Sequence, residues 1–263
     1  MRLGISTAAY YGRLDTECAA DQIRVLPVQC AEVFLQAQME YTEPFVRDVR
    51  ARLGDVRCTS VHVMGTLMEN LFFSRSARQI RQAQDEYERI LDAGAILGAS
   101  CYVYHGRNSA MVQPLPFAPE RNAEVVSRMD EMAARRGLRL AWENVSWCQL
   151  TTPERVRTMR TLLPDLRFTL DIKQAMRAGV DPVDFLSAMG EGLMNVHLCD
   201  WDASGTPCLP GRGVFDFGRF FRALQGNGYG GALILEPYAN WAQETELIES
   251  LRFLSRALLG NIM

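Results

Sequence analysis

Three histidines, His62, His105 and His197, and a single lysine, Lys173, stand out in a chain whose other basic residues are all arginine. Each histidine lies at or near the end of a short apolar, β-branched run: Cys58–His62, Cys101–His105 and Met194–Cys199. Three further runs of the same kind, Leu138–Glu143, Phe168–Ile172 and Ala232–Glu236, end on or beside Glu143, Asp171 and Glu236. Carboxylates brought to one point repel, and some stay protonated. A divalent cation removes that conflict. One imidazole with three carboxylates, His197 with Glu143, Asp171 and Glu236, is a hard, oxygen-rich donor set. It suits one Mn²⁺, Mg²⁺ or Co²⁺ ion, with Zn²⁺ as the softer option. Such an ion acts as a Lewis acid on a carbonyl and its neighbouring hydroxyl.

The elements that must position these groups are legible from periodicity. With Leu3–Thr7 and Ala31–Leu35, the strand-like runs number eight. Between them lie helical patterns with apolar stripes, such as Ile80, Ala83, Tyr87, Leu91, Gly94 and Leu97. Thr152-Pro153 and Asp181-Pro182 each set a capping side chain before a proline, which marks a helix start. Eight strand–helix alternations imply parallel strands with right-handed crossovers. In 263 residues the expected architecture is α/β, one (β/α)₈ TIM barrel spanning residues 1–263 as a single domain. A doubly wound open sheet is the alternative, but the first turn, Thr7-Ala8-Ala9-Tyr10-Tyr11-Gly12, lacks its glycine fingerprint. In a barrel the strand ends listed above gather at the C-terminal mouth.

Other polar residues at that mouth carry weaker signals. Glu32 lies early on its strand and reads equally well as a buried, hydrogen-bonded residue. Lys173 is two residues beyond Asp171, shares its facing on a strand, and is expected to contact a substrate oxygen or phosphate. Arg212, between Gly211 and Gly213, is a candidate clamp for an anionic substrate. Trp147 and Trp241 follow strands and are expected to wall a pocket. The loops expected to set specificity are 66–74, 107–118, 147–151 and 201–213. The bland alternative for the carboxylates is a structural ion-pair layer, but Arg139 and Arg167 sit near strand starts, at the opposite rim.

Composition narrows the partners. A hydrophobic share of 48% with 22% charged residues excludes a disordered or fibrous chain. A net charge of −3 without basic clusters argues against nucleic acid. No apolar run is long enough to span a membrane. Seven scattered cysteines without a C-x-x-C pair read as reduced thiols, which places the protein in the cytoplasm. A homodimer is the default expectation for such an enzyme.

An ordered set of segments carries a resemblance. Ser60-Val61-His62, Tyr104-His105-Gly106, Trp142-Glu143-Asn144, Leu170-Asp171-Ile172-Lys173-Gln174-Ala175, Val196-His197-Leu198-Cys199-Asp200, Pro210-Gly211-Arg212-Gly213-Val214-Phe215-Asp216-Phe217 and Leu235-Glu236-Pro237 resemble the xylose isomerase-like superfamily. That group includes sugar and sugar-phosphate isomerases and epimerases, inosose-processing enzymes and endonuclease IV. The resemblance implies a TIM barrel with one divalent metal on Glu143, Asp171, His197 and Glu236, and His62 and His105 as substrate contacts. Two positions depart from the pattern. Gln174 stands where the family often has His, and the loop after His197 lacks the Asp-x-His pair of the endonuclease branch.

The expected function is therefore a metal-dependent isomerase or epimerase of a sugar, sugar phosphate or keto-polyol, working through a metal-stabilised enediolate. Glu143 and Glu236 are the expected acid and base, and His62, His105, Lys173, Gln174, Arg212 and Trp147 the expected substrate contacts. An inosose-type dehydratase on the same site, an apurinic-site nuclease and a non-catalytic sugar-binding barrel are the alternatives.

Overall fold

The structure, a computed structural model, describes residues 1–65, 67–108, 116–237 and 243–260. Eight parallel strands close into a barrel: β1 (Arg2–Ser6), β2 (Cys30–Leu35), β3 (Arg57–Val63), β4 (Cys101–Tyr104), β5 (Arg139–Glu143), β6 (Arg167–Asp171), β7 (Leu193–Leu198) and, after two short strands, β10 (Ala232–Leu235). Each strand pairs with its sequence neighbour, and β10 pairs with β1. This is the (β/α)₈ TIM barrel expected from the sequence, and each strand lies within a residue or two of its apolar run.

The helices are α1 (Thr16–Arg24), α2 (Glu43–Arg52), α3 (Leu67–Leu71), α4 (Ala77–Leu97), α5 (Pro119–Ala134), α6 (Pro153–Leu162), α7 (Ile172–Arg177), α8 (Pro182–Met189), α9 (Phe217–Gly226) and α10 (Glu244–Leu259). The two capping signals operate as read. Thr152 Oγ1 accepts from the Arg155 amide and Asp181 Oδ1 from the Val183 amide. Among the described residues, no helix is long and apolar enough to cross a membrane.

The alternation of strand side chains builds two unlike interiors. Outward residues such as Ile5, Val61, Trp142, Leu170 and Leu235 meet the helices in one large apolar layer. Inside the barrel the apolar content is small, chiefly Cys30, Ala232 and Ile234. Above them the inward positions turn polar: Glu32, Ser60, Thr169 and Asn195, then the mouth residues. Close approach matters at Gly4, where a Cβ would lie 2.5 Å from the Cys30 carbonyl oxygen, so β1 and β2 need glycine there.

Three local features differ from the sequence reading. The segment 66–74 contains α3 rather than only a loop. Strand β6 runs straight into α7, because the Asp171 carboxylate accepts from the Gln174 amide and caps the new helix. The segment after β7 contains a small antiparallel hairpin, β8 (Asp200–Trp201) with β9 (Pro207–Cys208).

Candidate active site

Register brings the mouth residues together. Asp171 lies opposite His197, and His197 opposite Ile234, two residues before Glu236. One donor atom from each of Glu143, Asp171, His197 and Glu236 falls within 4.8 Å of the others, and all four residues are buried. His197 Nδ1 stands 3.3 Å from Glu236 Oε2, 3.4 Å from Glu143 Oε1 and 3.9 Å from Asp171 Oδ2. The other imidazole nitrogen, Nε2, is 3.0 Å from Glu32 Oε2. Glu32 also accepts from Ser60 Oγ at 2.7 Å and from Asn195 Nδ2 at 3.2 Å. A carboxylate on Nε2 fixes the ring and leaves Nδ1 facing the three acids, the arrangement a metal-binding histidine needs.

The donor set fits a divalent cation on its own chemistry. Glu143 Oε2, Asp171 Oδ2 and His197 Nδ1 are buried without a hydrogen-bond partner. Buried polar atoms left unpaired are costly, and a shared cation would satisfy all three. Lys173 complicates the charge balance foreseen from sequence. It sits in the first turn of α7, not on a strand, with Nζ 3.3 Å from Glu236 Oε2 and 3.7 Å from Asp171 Oδ2. Part of the charge relief therefore comes from the protein itself.

Ionisation follows from these neighbours. Burial works against the charge on Glu143 and Glu236, but His197 outweighs it and holds both below the usual carboxylate range, with Lys173 assisting at Glu236. Burial likewise opposes the charge on His197, yet Glu236 and Glu32 keep it well above the ordinary value. Asp171 is the exception: burial raises it to about 7 despite Lys173, and Glu143 and Glu236 add to the rise.

A second pair lines the same opening. His62 Nε2 and His105 Nε2 are 2.8 Å apart. Burial would strip the proton from His62, but Glu236 and Glu32, each 3.6 Å from its Nδ1, raise it to about 10. Burial and the charge on His62 lower His105 to about 4. The two rings bond each other through Nε2, one nitrogen donating and the other accepting. Gly106, at φ 94°, turns the chain after His105, and a Cβ there would lie 2.7 Å from Trp142 Nε1.

The opening is a cavity of about 330 Å³ lined by both histidines, Glu143, Asp171, Glu236, Lys173, Gln174 and Trp147. Tyr11 and Phe34, which the sequence reading did not single out, complete its wall. Gln174 Oε1 accepts from the Ser146 amide and hydroxyl, so it ties α7 to the turn after β5. The structure does not bring Arg212 to this cavity. Its guanidinium reaches Glu246 at 2.6 Å and Glu249 at 3.6 Å, both on α10. The loop around it is gathered instead by Asp200, whose carboxylate accepts from the amides of Trp201, Gly211, Gly213 and Phe215. Trp241 lies outside the described residues.

Further supporting residues emerged only from the fold. Asn144 accepts from the Asp171 amide at 2.7 Å and donates to its carbonyl at 3.0 Å. Its position directly after Glu143 was the available signal. Glu69, on α3, accepts from Tyr102 OH, the His105 amide and the Gly106 amide. No sequence pattern pointed to it.

Residues 22–257 match the xylose isomerase-like TIM barrel family, and the chain belongs to it. Among curated proteins, an uncharacterized protein of Mycobacterium tuberculosis (strain H37Rv) is 37% identical over 101 residues, 35% of each chain. That match thus spans about a third of the relative's length. A 3-dehydroshikimate dehydratase of Pseudomonas aeruginosa is 25% identical over 177 residues, 62% of this chain and 27% of that protein. Among solved structures, a D-tagatose 3-epimerase-like protein superposes with a TM-score of 0.80 at 18% identity, covering 100% of this chain and 98% of that one. D-psicose 3-epimerase from Clostridium cellulolyticum H10, with D-tagatose, gives 0.80 at 16% identity over 98% and 99%. The IOLI protein with a binding zinc atom gives 0.75 at 14% identity over 100% and 98%. At these identities the likeness to solved structures is one of fold.

Proposed function

We propose that the chain is a metal-dependent isomerase or epimerase of a sugar or related keto-polyol, moving a proton between substrate and protein. The observation that carries the reading is the pair Glu143 and Glu236, both held ionised and both within 3.4 Å of His197 Nδ1. Glu143, Asp171, His197 and Glu236 would hold one divalent cation, with Mn²⁺, Mg²⁺ or Co²⁺ favoured by the donor set. That cation supplies Lewis acidity to a substrate carbonyl and adjacent hydroxyl. Two structural relatives that carry the names of sugar epimerases support the same class.

The remaining chemistry belongs to the protein. Glu143 and Glu236 reach the cavity from β5 and from the end of β10, two strands that flank β6 and β7 in the barrel. One carboxylate takes the proton from the carbon beside the carbonyl. In an isomerisation that same carboxyl, now protonated, returns it to the next carbon. In an epimerisation the other carboxylate, protonated from solvent, returns a proton to the opposite face while the first releases its own to solvent. Lys173 steadies Glu236, and Glu32 fixes the His197 ring. His62 and His105, bonded to each other through their Nε2 atoms, line the cavity that would receive the substrate.

A dehydratase on the same site is the second reading, favoured by the Pseudomonas aeruginosa relative. The nuclease reading loses its support in the loop after β7. Asp200 is consumed by four backbone amides, and Asp202 accepts from Ser204 and Thr206.

Glu143→Gln and Glu236→Gln should each lower kcat by about 10²–10⁴-fold with the circular dichroism of the barrel unchanged. Wild-type turnover in D₂O should place solvent deuterium on the product carbon. Activity that survives exhaustive chelation, or product free of deuterium, would overturn the reading.

A further inference from the structure

We infer that the substrate of this site is uncharged, neither phosphorylated nor carboxylated, and that Tyr11, Phe34 and Trp147 receive the part of it distant from the reacting carbons. The inference rests on the proposed function and narrows its substrate class.

The charge around the cavity is the first ground. Its floor is formed by Glu143, Asp171 and Glu236, with Glu32 directly behind. Lys173 is the one Lys or Arg among the described lining residues, and its Nζ is committed to Glu236 and Asp171. Recognition of phosphate or carboxylate ordinarily uses arginine forks or clustered cations. Of the arginines in the described loops at this mouth, four are engaged elsewhere, and Arg75 stands exposed between α3 and α4. Arg13 donates to the Ala9 carbonyl and lies over Tyr10. Arg107 lies over Phe73. Arg155 bonds the Gln149 carbonyl and Thr151, and Arg212 pairs with Glu246 and Glu249. The neighbouring sequence segments 109–115 (Ser-Ala-Met-Val-Gln-Pro-Leu) and 238–242 (Tyr-Ala-Asn-Trp-Ala) contain no Lys or Arg.

Backbone amides are the second ground. Many TIM barrels bind phosphate with the loops after strands seven and eight and with helix N-termini. Here the amides of Gly211, Gly213 and Phe215 after β7 are taken by Asp200. The Gln174 amide at the start of α7 is taken by Asp171. Among the described residues after β7 and at the start of α7, these amides are occupied by the protein's own carboxylates.

The wall is the third ground. Phe34 meets Tyr11 and His62 edge to face, with ring centroids 5.9 and 5.3 Å apart, and Trp147 stands 5.8 Å from His105. Aromatic faces beside paired histidines suit the alternating C–H and hydroxyl surface of a sugar.

The test compares D-fructose and D-tagatose with D-fructose 1-phosphate, D-fructose 6-phosphate and 3-dehydroshikimate. With Mn²⁺ present, deuterium exchange from D₂O is followed by NMR, and binding to the Glu143→Gln variant is followed by calorimetry. The neutral ketoses should be favoured at least tenfold in exchange rate and in affinity. Tyr11→Arg, which adds a guanidinium to the wall, should narrow that gap for the phosphates. Preferential exchange of a phosphate or of the carboxylated ketone would overturn the inference while leaving the proton-transfer reading intact. Absence of exchange with every compound would overturn that reading and this inference with it.

Discussion

Glu32 and Glu69 stand behind the candidate site on different sides, both fully buried, and the protein treats them in opposite ways. Each accepts three hydrogen bonds. Glu32, beneath the site, takes Ser60 Oγ, Asn195 Nδ2 and His197 Nε2. Glu69, in the side wall, takes Tyr102 OH and the amides of His105 and Gly106. Burial opposes charge on both. At Glu32 the histidines outweigh it and hold the carboxyl ionised. At Glu69 the donors do not, and burial raises the group to about 8. The difference teaches that hydrogen-bond number does not set ionisation inside this barrel. A cationic partner does.

Three experiments would break or sharpen the contrast. The largest effect is expected at Glu32→Ala, which strips His197 of its rear partner. The loss should be about 3 kcal/mol in urea unfolding, because a buried charge loses its counter-ion. Metal affinity, read by calorimetric titration with Mn²⁺, should fall about 10–100-fold. An equal loss of both quantities in Glu69→Ala would erase the distinction.

The second experiment uses pH. Glu69 titrates near 4.5 when unfolded and near 8 when folded, so the native state keeps a proton that the unfolded chain has released. Its contribution is complete below pH 4.5 and is lost progressively as pH rises through 8. Glu69→Gln has no such loss, so the stability gap between variant and wild type should shift in the variant's favour across that range. Parallel unfolding curves from pH 5 to 8 would refute this assignment.

The smallest effect is expected from a residue that belongs to neither carboxylate. Asn144→Ala removes the two bonds that hold the Asp171 backbone and should cost about 1–3 kcal/mol. The pH profile of stability should keep its wild-type shape. A changed profile would mean that the settings of Glu32 and Glu69 are not local.

The barrel was legible because its strands are buried on both faces and stand out as unbroken apolar runs. The metal candidates were legible because β5, β6, β7 and β10 each end on or beside an acid or imidazole, and strand ends share a mouth. What lay one layer deeper was not. Glu32 is early on β2, and only the register that places it by Ser60, with the barrel closed around His197, gives it a role. Glu69 is hidden in a short helix inside a segment that reads as a loop. Arg212 misled because its partners, Glu246 and Glu249, follow it by more than thirty residues and meet it only once α10 has packed. Lys173 was assigned a strand facing, whereas the Asp171 cap had already begun a helix.

The amides gathered on Asp200 also bear on how such a barrel changes substrate. Four backbone amides of the segment from Trp201 to Phe215 are fixed on one buried carboxylate, which ties its path to Asp200 rather than to its exposed side chains. Tyr11, Phe34 and Trp147 belong to three separate parts of the chain, after β1, on β2 and after β5. Tyr11 and Phe34 pack edge to face, whereas Trp147 meets His105 on its own.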